Sequence, residues 1–213
     1  MTAEQQVPAL GRLSGAAVSE RVRQKERTRA ALIAAARRLI LDGSAITMLG
    51  TATAAGVSEA TAYRHFPDLP ALLREAFVGL WPDPPAELTL PGDPSDVPAR
   101  VAQAADFLLS NVVRMQGAVR VMIASTITRD EVTFPRPGKQ FGLIDLAVAP
   151  LEQGHGAMES GRLTQLKLDL AVIMSAEALF TLTDLAGLPP REAIASIART
   201  ARTITQAAIG PAT

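Results

Sequence analysis

Residues 82–98 read PDPPAELTLPGDPSDVP, six prolines in seventeen positions. Proline lacks an amide hydrogen and its ring clashes with the preceding turn, so no continuous helix crosses such a segment. The chain is therefore expected to fold as two pieces, residues 20–81 and 99–213, joined by a Pro-rich linker at 82–98. Residues 1–19 carry Gly, Ser, Pro and Ala with little periodicity and read as a flexible tail. With 213 residues, 48% of them hydrophobic, both pieces can bury a core. Aromatic residues are only 4% of the chain and alanine is abundant, which favours helix over sheet. No stretch alternates polar and apolar residues over a useful length, so the expected fold class is all-α.

Helical periodicity places a long first helix from Arg21 to Leu41, with Leu32, Ala35, Ala36, Leu39 and Ile40 on one face. Thr47 is placed to cap a short helix from Met48 to Ala55. Gly56 suits the left-handed turn that follows a helix, and Ser58 caps a third helix, Glu59 to His65. Pro67 stops it, and Asp68 caps a fourth running to about Leu80. Beyond the linker, patterns fit helices at 99–116, 118–128, 140–157, 163–186 and 190–208, with a break at 134–138.

The chain is neutral overall, but its charge is unevenly placed. Seven basic residues (Arg21, Arg23, Lys25, Arg27, Arg29, Arg37, Arg38) and one acid, Glu26, lie between 21 and 38, whereas residues 81–213 hold eleven basic and fourteen acidic ones. A positive N-terminal end is what a phosphate-facing surface requires, although a solvated helix face carries the same signature. The chain has no cysteine, so neither a disulfide framework nor a thiolate metal site exists, which fits a reducing cytoplasm. No signal peptide is visible, and no apolar run reaches the ~18 residues of a membrane span.

Two short helices joined by a Gly-containing turn form a helix-turn-helix, whose second helix can lie in the DNA major groove. The stretch TMLGTATAAGVSEATAYRHFPDLPALL, Thr47 to Leu73, resembles the DNA-binding domain of TetR-family transcriptional regulators. Thr47, Ala52, Ala55, Gly56, Val57, Ser58, Thr61, Tyr63, Phe66, Leu72 and Leu73 stand in the matching places, and AARRLILDG upstream matches the family's first helix. The motif covers about residues 24 to 78. Three positions depart from it: Thr51 replaces a usual apolar residue, Ala62 a common Leu, and Leu69 a usual Lys that contacts phosphate. The resemblance implies double-stranded operator DNA as a partner, a homodimer and a small-molecule effector.

The expected DNA-binding residues are Arg27, Thr47, Ser58, Glu59, Ala60, Thr61, Tyr63, Arg64 and His65. Residues near the start of a recognition helix reach base edges. Glu59 can accept from a cytosine amino group, Thr61 can contact a base or a phosphate, and Ala60 admits a thymine methyl. Tyr63 and His65 suit phosphates, which set register, while Arg64 suits guanine or phosphate. Phe66 reads as core.

A seven-residue recognition helix offers few contacts, so two copies on a palindromic site are expected. Leu166, Leu170, Ile173, Leu179 and Leu182 form one apolar face, and Ile194, Ile197, Ala201, Ile204 and Ala208 another. Either can be internal core, and the resemblance implies dimerisation through them. Phe107, Asn111, Met115, Met122, Phe141, Asp145, Met174 and Glu177 are candidates for lining an effector pocket, with ordinary core as the competing reading. No cofactor is expected. The chain carries no phosphate-binding loop, dinucleotide glycine pattern, serine-hydrolase elbow or zinc-protease motif, so an enzyme is not expected. With two histidines and no cysteine, no metal site is expected either. The expected function is a regulator, most simply a repressor released by a small ligand. The alternative is a helical ligand-binding or scaffolding protein without specific DNA binding.

Overall fold

The computed structural model describes residues 10–81, 87–91, 93–127, 139–152 and 157–210. Every regular element among them is helical. They are α1 (Leu10–Leu41), α2 (Met48–Ala54), α3 (Glu59–His65), α4 (Leu69–Ala76), α5 (Val97–Arg114), α6 (Gln116–Ile127) and α7 (Lys139–Val148) with a 3-10 turn at Ala149–Leu151. After these come α8 (Ser160–Ile173), α9 (Ala176–Phe180) with a π turn at Thr181–Leu185, and α10 (Pro190–Ile209). The chain divides between Val78 and Gly79 into two compact units. No single helix is long and apolar enough to cross a membrane.

In the first unit α1 packs against α2 and α4, and α2 against α3. Leu32, Ala36 and Ile40 of α1 meet a core that includes Ala52, Ala62, Phe66, Leu72 and Leu73, all of them buried. The short helices begin where their caps dictate. Thr47 Oγ1 accepts from the Gly50 amide at 2.9 Å, Ser58 Oγ from Thr61 at 3.2 Å, and Asp68 Oδ1 from Ala71 at 2.7 Å. Each bond satisfies an amide the helix leaves open, worth about 1 kcal/mol. Gly56 takes φ 70° in the turn between α2 and α3.

Two boundaries in this unit differ from the expectation. Helix α1 starts at Leu10, inside the stretch expected as a tail. Extending an existing helix adds one hydrogen bond per residue fixed, and no proline follows Pro8 to stop it. Helix α4 ends at Ala76 rather than near Leu80. There Gly79 adopts φ 76°, and Arg37 of α1 donates to the carbonyls of Ala76 and Val78 at 3.0 and 2.6 Å. The guanidinium satisfies the helix end from outside, so the helix need not continue.

In the second unit α10 packs along α5 and also against α8 and α9, while α7 packs against both α5 and α8. Val101, Ala105, Leu108, Leu143, Ile144, Leu166, Leu170, Met174 and Ala201 form one buried cluster. Leu109, Val112, Leu179, Ile194 and Ile197 form another. Fully burying one such aliphatic side chain contributes roughly 1.5–3 kcal/mol. Trp81 and Leu88 pack against these clusters, so the second unit begins ahead of the expected boundary at 99. Helix α5 also starts early, at Val97. Asp96 caps it through the Ala99 amide at 3.0 Å, and Pro98 sits in the first turn, where its missing amide costs nothing.

The helix expected over 163–186 is broken. Ser175 Oγ accepts from Ala178 at 3.1 Å and so begins a new helix within the apolar run. The expected helix over 140–157 shortens to α7 and its 3-10 turn, which contains Pro150. The expected break at 134–138 lies outside the described residues.

Candidate nucleic-acid interface

Helix α3 has two faces. Ala62 and the following Phe66 point inward and are buried. Ala60, Tyr63 and Arg64 point outward, with Tyr63 49% exposed, and Glu59, Thr61 and His65 lie half-buried along the edges. Thr47 and Ser58 are exposed at the caps of α2 and α3, and Arg27 is exposed on α1. Arg27 stands 3.8 Å from Glu20, a solvent-exposed pair that holds it weakly.

A short hydrogen-bonded chain runs along the outer face. Ser58 Oγ and Thr61 Oγ1 are 2.9 Å apart, and Arg64 Nη2 donates to Thr61 Oγ1 at 2.8 Å. Thr61 therefore anchors one end of the Arg64 guanidinium, which keeps other donors directed elsewhere. Anchoring a flexible cationic side chain before binding lowers the entropy lost on binding.

The basic residues of α1 divide into two groups, which the charge count did not reveal. Arg38 Nη2 donates to the Ala54 carbonyl at 3.1 Å, Arg29 Nη1 to the His65 carbonyl at 3.3 Å, and Arg37 to Ala76 and Val78. Each of these three arginines thus caps the C-terminal end of a different short helix, α2, α3 and α4, where carbonyls lack partners and the dipole is negative. Arg29 also pairs with Glu75 of α4, and its guanidinium lies 4.3 Å from the centroid of the Phe66 ring. These three are structural cations rather than members of a uniform phosphate-facing row. The sequence did hold a clue to Arg29. It falls three residues before Leu32 and seven before Ala36, on the edge of the buried stripe.

His65 sits at the end of α3 among positive charges. Burial, then Lys25, Arg29 and Arg64, hold its imidazole below the usual histidine range. Its Nδ1 is buried and has no hydrogen-bond partner.

Two of the three departures from the resembling family have clear structural consequences. Thr51 is fully buried, yet its hydroxyl donates to the Thr47 carbonyl at 2.8 Å, so no polar group is left unpaired. Ala62 is fully buried, so a small side chain there lets α3 lie close to the core.

The candidate effector residues lie in different surroundings. Phe107 and Met174 pack within the same core cluster, and Met115 and Met122 are buried core. Asn111 is engaged on its own helix, with Nδ2 donating to the Phe107 carbonyl at 2.8 Å and Oδ1 accepting from Arg114 at 2.7 Å. Phe141, Asp145 and Glu177 are exposed, and Asp145 pairs with Lys167 at 2.9 Å. The apolar faces expected at a dimer seam are also turned inward: Leu166, Leu170, Leu179, Ile194, Ile197 and Ala201 belong to the core clusters. The outward face of α8 carries Leu168 and Val172 instead, 53% and 73% exposed and one turn apart. Among the described residues no group of His, Cys, Asp and Glu is placed to hold a metal ion.

No family model, no curated protein and no solved structure matches this chain.

Proposed function

We propose that the chain is a sequence-specific DNA-binding transcriptional regulator of the TetR type, a repressor that leaves a palindromic operator when a small molecule binds. The observation that carries this reading is the outer face of α3. Tyr63 is exposed there, Arg64 is anchored by Thr61, and Ser58 starts the helix. In this reading α2 and α3 form the helix-turn-helix, α3 enters the major groove, and Thr47, Ser58, Tyr63 and His65 meet phosphates. Arg64 and Thr61 read base edges, with Arg27 adding a backbone contact from α1. Two copies place two such helices on one operator, and Leu168 and Val172 of α8 are among the exposed apolar side chains available to a seam.

One observation favours a second reading, a helical ligand-binding or scaffolding protein without specific DNA binding. Arg29, Arg37 and Arg38 bond to protein carbonyls, which leaves a smaller positive surface than the sequence suggests. Fluorescence anisotropy decides between the two. DNA from upstream of the protein's own gene, and fragments selected from genomic DNA, are titrated over a salt series against scrambled controls. A regulator prefers a selected fragment by roughly 10³-fold or more, with affinity falling steeply as salt rises. Equal, weak binding to every fragment supports the second reading.

A further inference from the structure

We infer that His65 takes up a proton when a DNA phosphate settles at the end of α3, so that DNA affinity rises as pH falls. This rests on the DNA-binding reading above and adds a regulatory property to the same surface. Cationic side chains surround the imidazole. From α1 come Lys25 and, one turn on, Arg29; from α3 itself comes Arg64. From α4, Glu75 faces this region, but its carboxylate is paired with Arg29. Asp68, at the start of α4, turns an oxygen to the Ala71 amide. The charged groups that lower its titration are Lys25, Arg29 and Arg64.

A helix C-terminus normally favours a charged histidine through its dipole. Here Arg29 already occupies the terminal carbonyl, that of His65 itself, at 3.3 Å. The buried Nδ1 has no acceptor beside it, so a second N–H on the ring has nothing to bond. In the free protein both conditions disfavour the imidazolium. A phosphodiester reverses the first, because it brings negative charge among Lys25, Arg64 and His65, and its oxygens accept from the ring's other nitrogen. The ring then gains one proton from solvent and becomes an imidazolium bound to the anion. By linkage, uptake of one proton raises affinity by at most about tenfold per pH unit. The rise falls between the bound and free titration midpoints and levels off below the free one.

The test uses the full chain in a His155→Gln background, which leaves His65 as the sole histidine. Its ring proton is followed by NMR from pH 5 to 8, alone and with a saturating non-cognate duplex oligonucleotide at low salt. The midpoint is expected below the usual ~6.5 without DNA and clearly higher with it. Lys25→Gln is expected to raise the DNA-free midpoint, a readout that needs no DNA at all. In parallel, anisotropy against the same duplex should show affinity rising as pH falls, and His65→Gln should flatten that slope. A duplex that binds without moving the midpoint overturns the inference and leaves the DNA-binding reading standing. So does a His65→Gln protein that keeps the slope. No anisotropy change at any pH overturns both.

Discussion

Arg29 donates to the backbone carbonyl of His65 at 3.3 Å, thirty-six residues along the chain. It thereby joins the long first helix to the end of the helix that carries Tyr63 and Arg64. The same guanidinium meets Glu75 and the Phe66 ring, so one side chain ties α1, α3 and α4 together. Arg29→Ala removes a charge-assisted hydrogen bond, an ion pair and a ring contact from a half-buried site. The expected cost to the first unit is about 1–3 kcal/mol, read as a lower midpoint in urea unfolding. Arg29→Lys should recover only part of it, because an ammonium cannot bond several partners in one plane. An unchanged midpoint for Arg29→Ala would show that this contact does not hold the helices together.

The turn between α2 and α3 allows a separate test. Gly56 has φ 70°, and a methyl group added there meets nothing within 4 Å. Gly56→Ala therefore isolates the backbone penalty of the left-handed conformation, expected at roughly 1–2 kcal/mol. Gly50→Ala differs in kind, since its new carbon would lie 3.1 Å from Thr47 Oγ1 and disturb the cap of α2. Thermal unfolding of the two variants should show a loss for both, with loss of the α2 cap visible by amide exchange only in the second.

Tyr63→Phe and Arg64→Ala should weaken binding to a selected operator while leaving the unfolding midpoint within about 0.5 kcal/mol of the parent, since both side chains face outward. Thr61→Val should weaken it too, by releasing the Arg64 side chain held at 2.8 Å. Arg64→Ala is expected to relax the preference at one base pair if it reads guanine, at a cost of about 1–3 kcal/mol. If it meets phosphate, all sequences weaken alike and the salt slope becomes shallower. Parental affinity in all three variants would place the DNA-contacting surface elsewhere.

In the second unit, Arg120 forms two bonds to the Asp184 carboxylate, at 2.6 and 2.8 Å, and lies 3.8 Å from the centroid of the Phe180 ring. The Arg120 hydrogen bonds hold the Asp184 carboxyl below its ordinary range, helped by the Thr183 hydroxyl. A depressed carboxylate stabilises the fold above its unfolded titration, and that contribution is lost as pH falls through the lower folded value. The clasp between α6 and the π turn should therefore survive mild acid and fail only below the usual carboxylate range. Asp184→Asn should remove that acid step, and hydrogen exchange in α6 should speed up at neutral pH. An unaltered acid step in Asp184→Asn would assign it to other carboxylates.

His65 carries the same sign for stability, in a higher pH window. Its folded titration lies below the unfolded one, so the unfolded chain binds the extra proton first. The first unit should lose stability as pH falls from about 6.5 toward the folded midpoint, and His65→Gln should remove that loss. Urea midpoints at pH 7.5 and 5.5 for the two proteins provide the comparison.

The short helices of the first unit were legible residue by residue because their signals are local. Thr47, Ser58 and Asp68 cap from the position next to the helix they start, and Gly56 supplies its own positive φ. Phe66 and the spacing of Leu32, Ala36 and Ile40 likewise marked the inward side before any packing was known. Where a helix stops is less local. The end of α4 depends on Arg37, thirty-nine residues away from Ala76, and the break between α8 and α9 depends on one serine inside an apolar run.

Charge and apolar patterns told which residue types were present and not what they would meet. Arg27 and Arg29 are two residues apart with the same chemistry, yet one stays in solvent and the other turns to His65 and Glu75. Leu166 and Leu168 likewise part, one buried in the core and one facing out. Caps, turns and the helical period come from interactions within a few residues and can be read along the chain. Which carbonyl an arginine satisfies, and which apolar face finds a partner inside, depend on helices brought together from distant positions, so only the folded packing decides them.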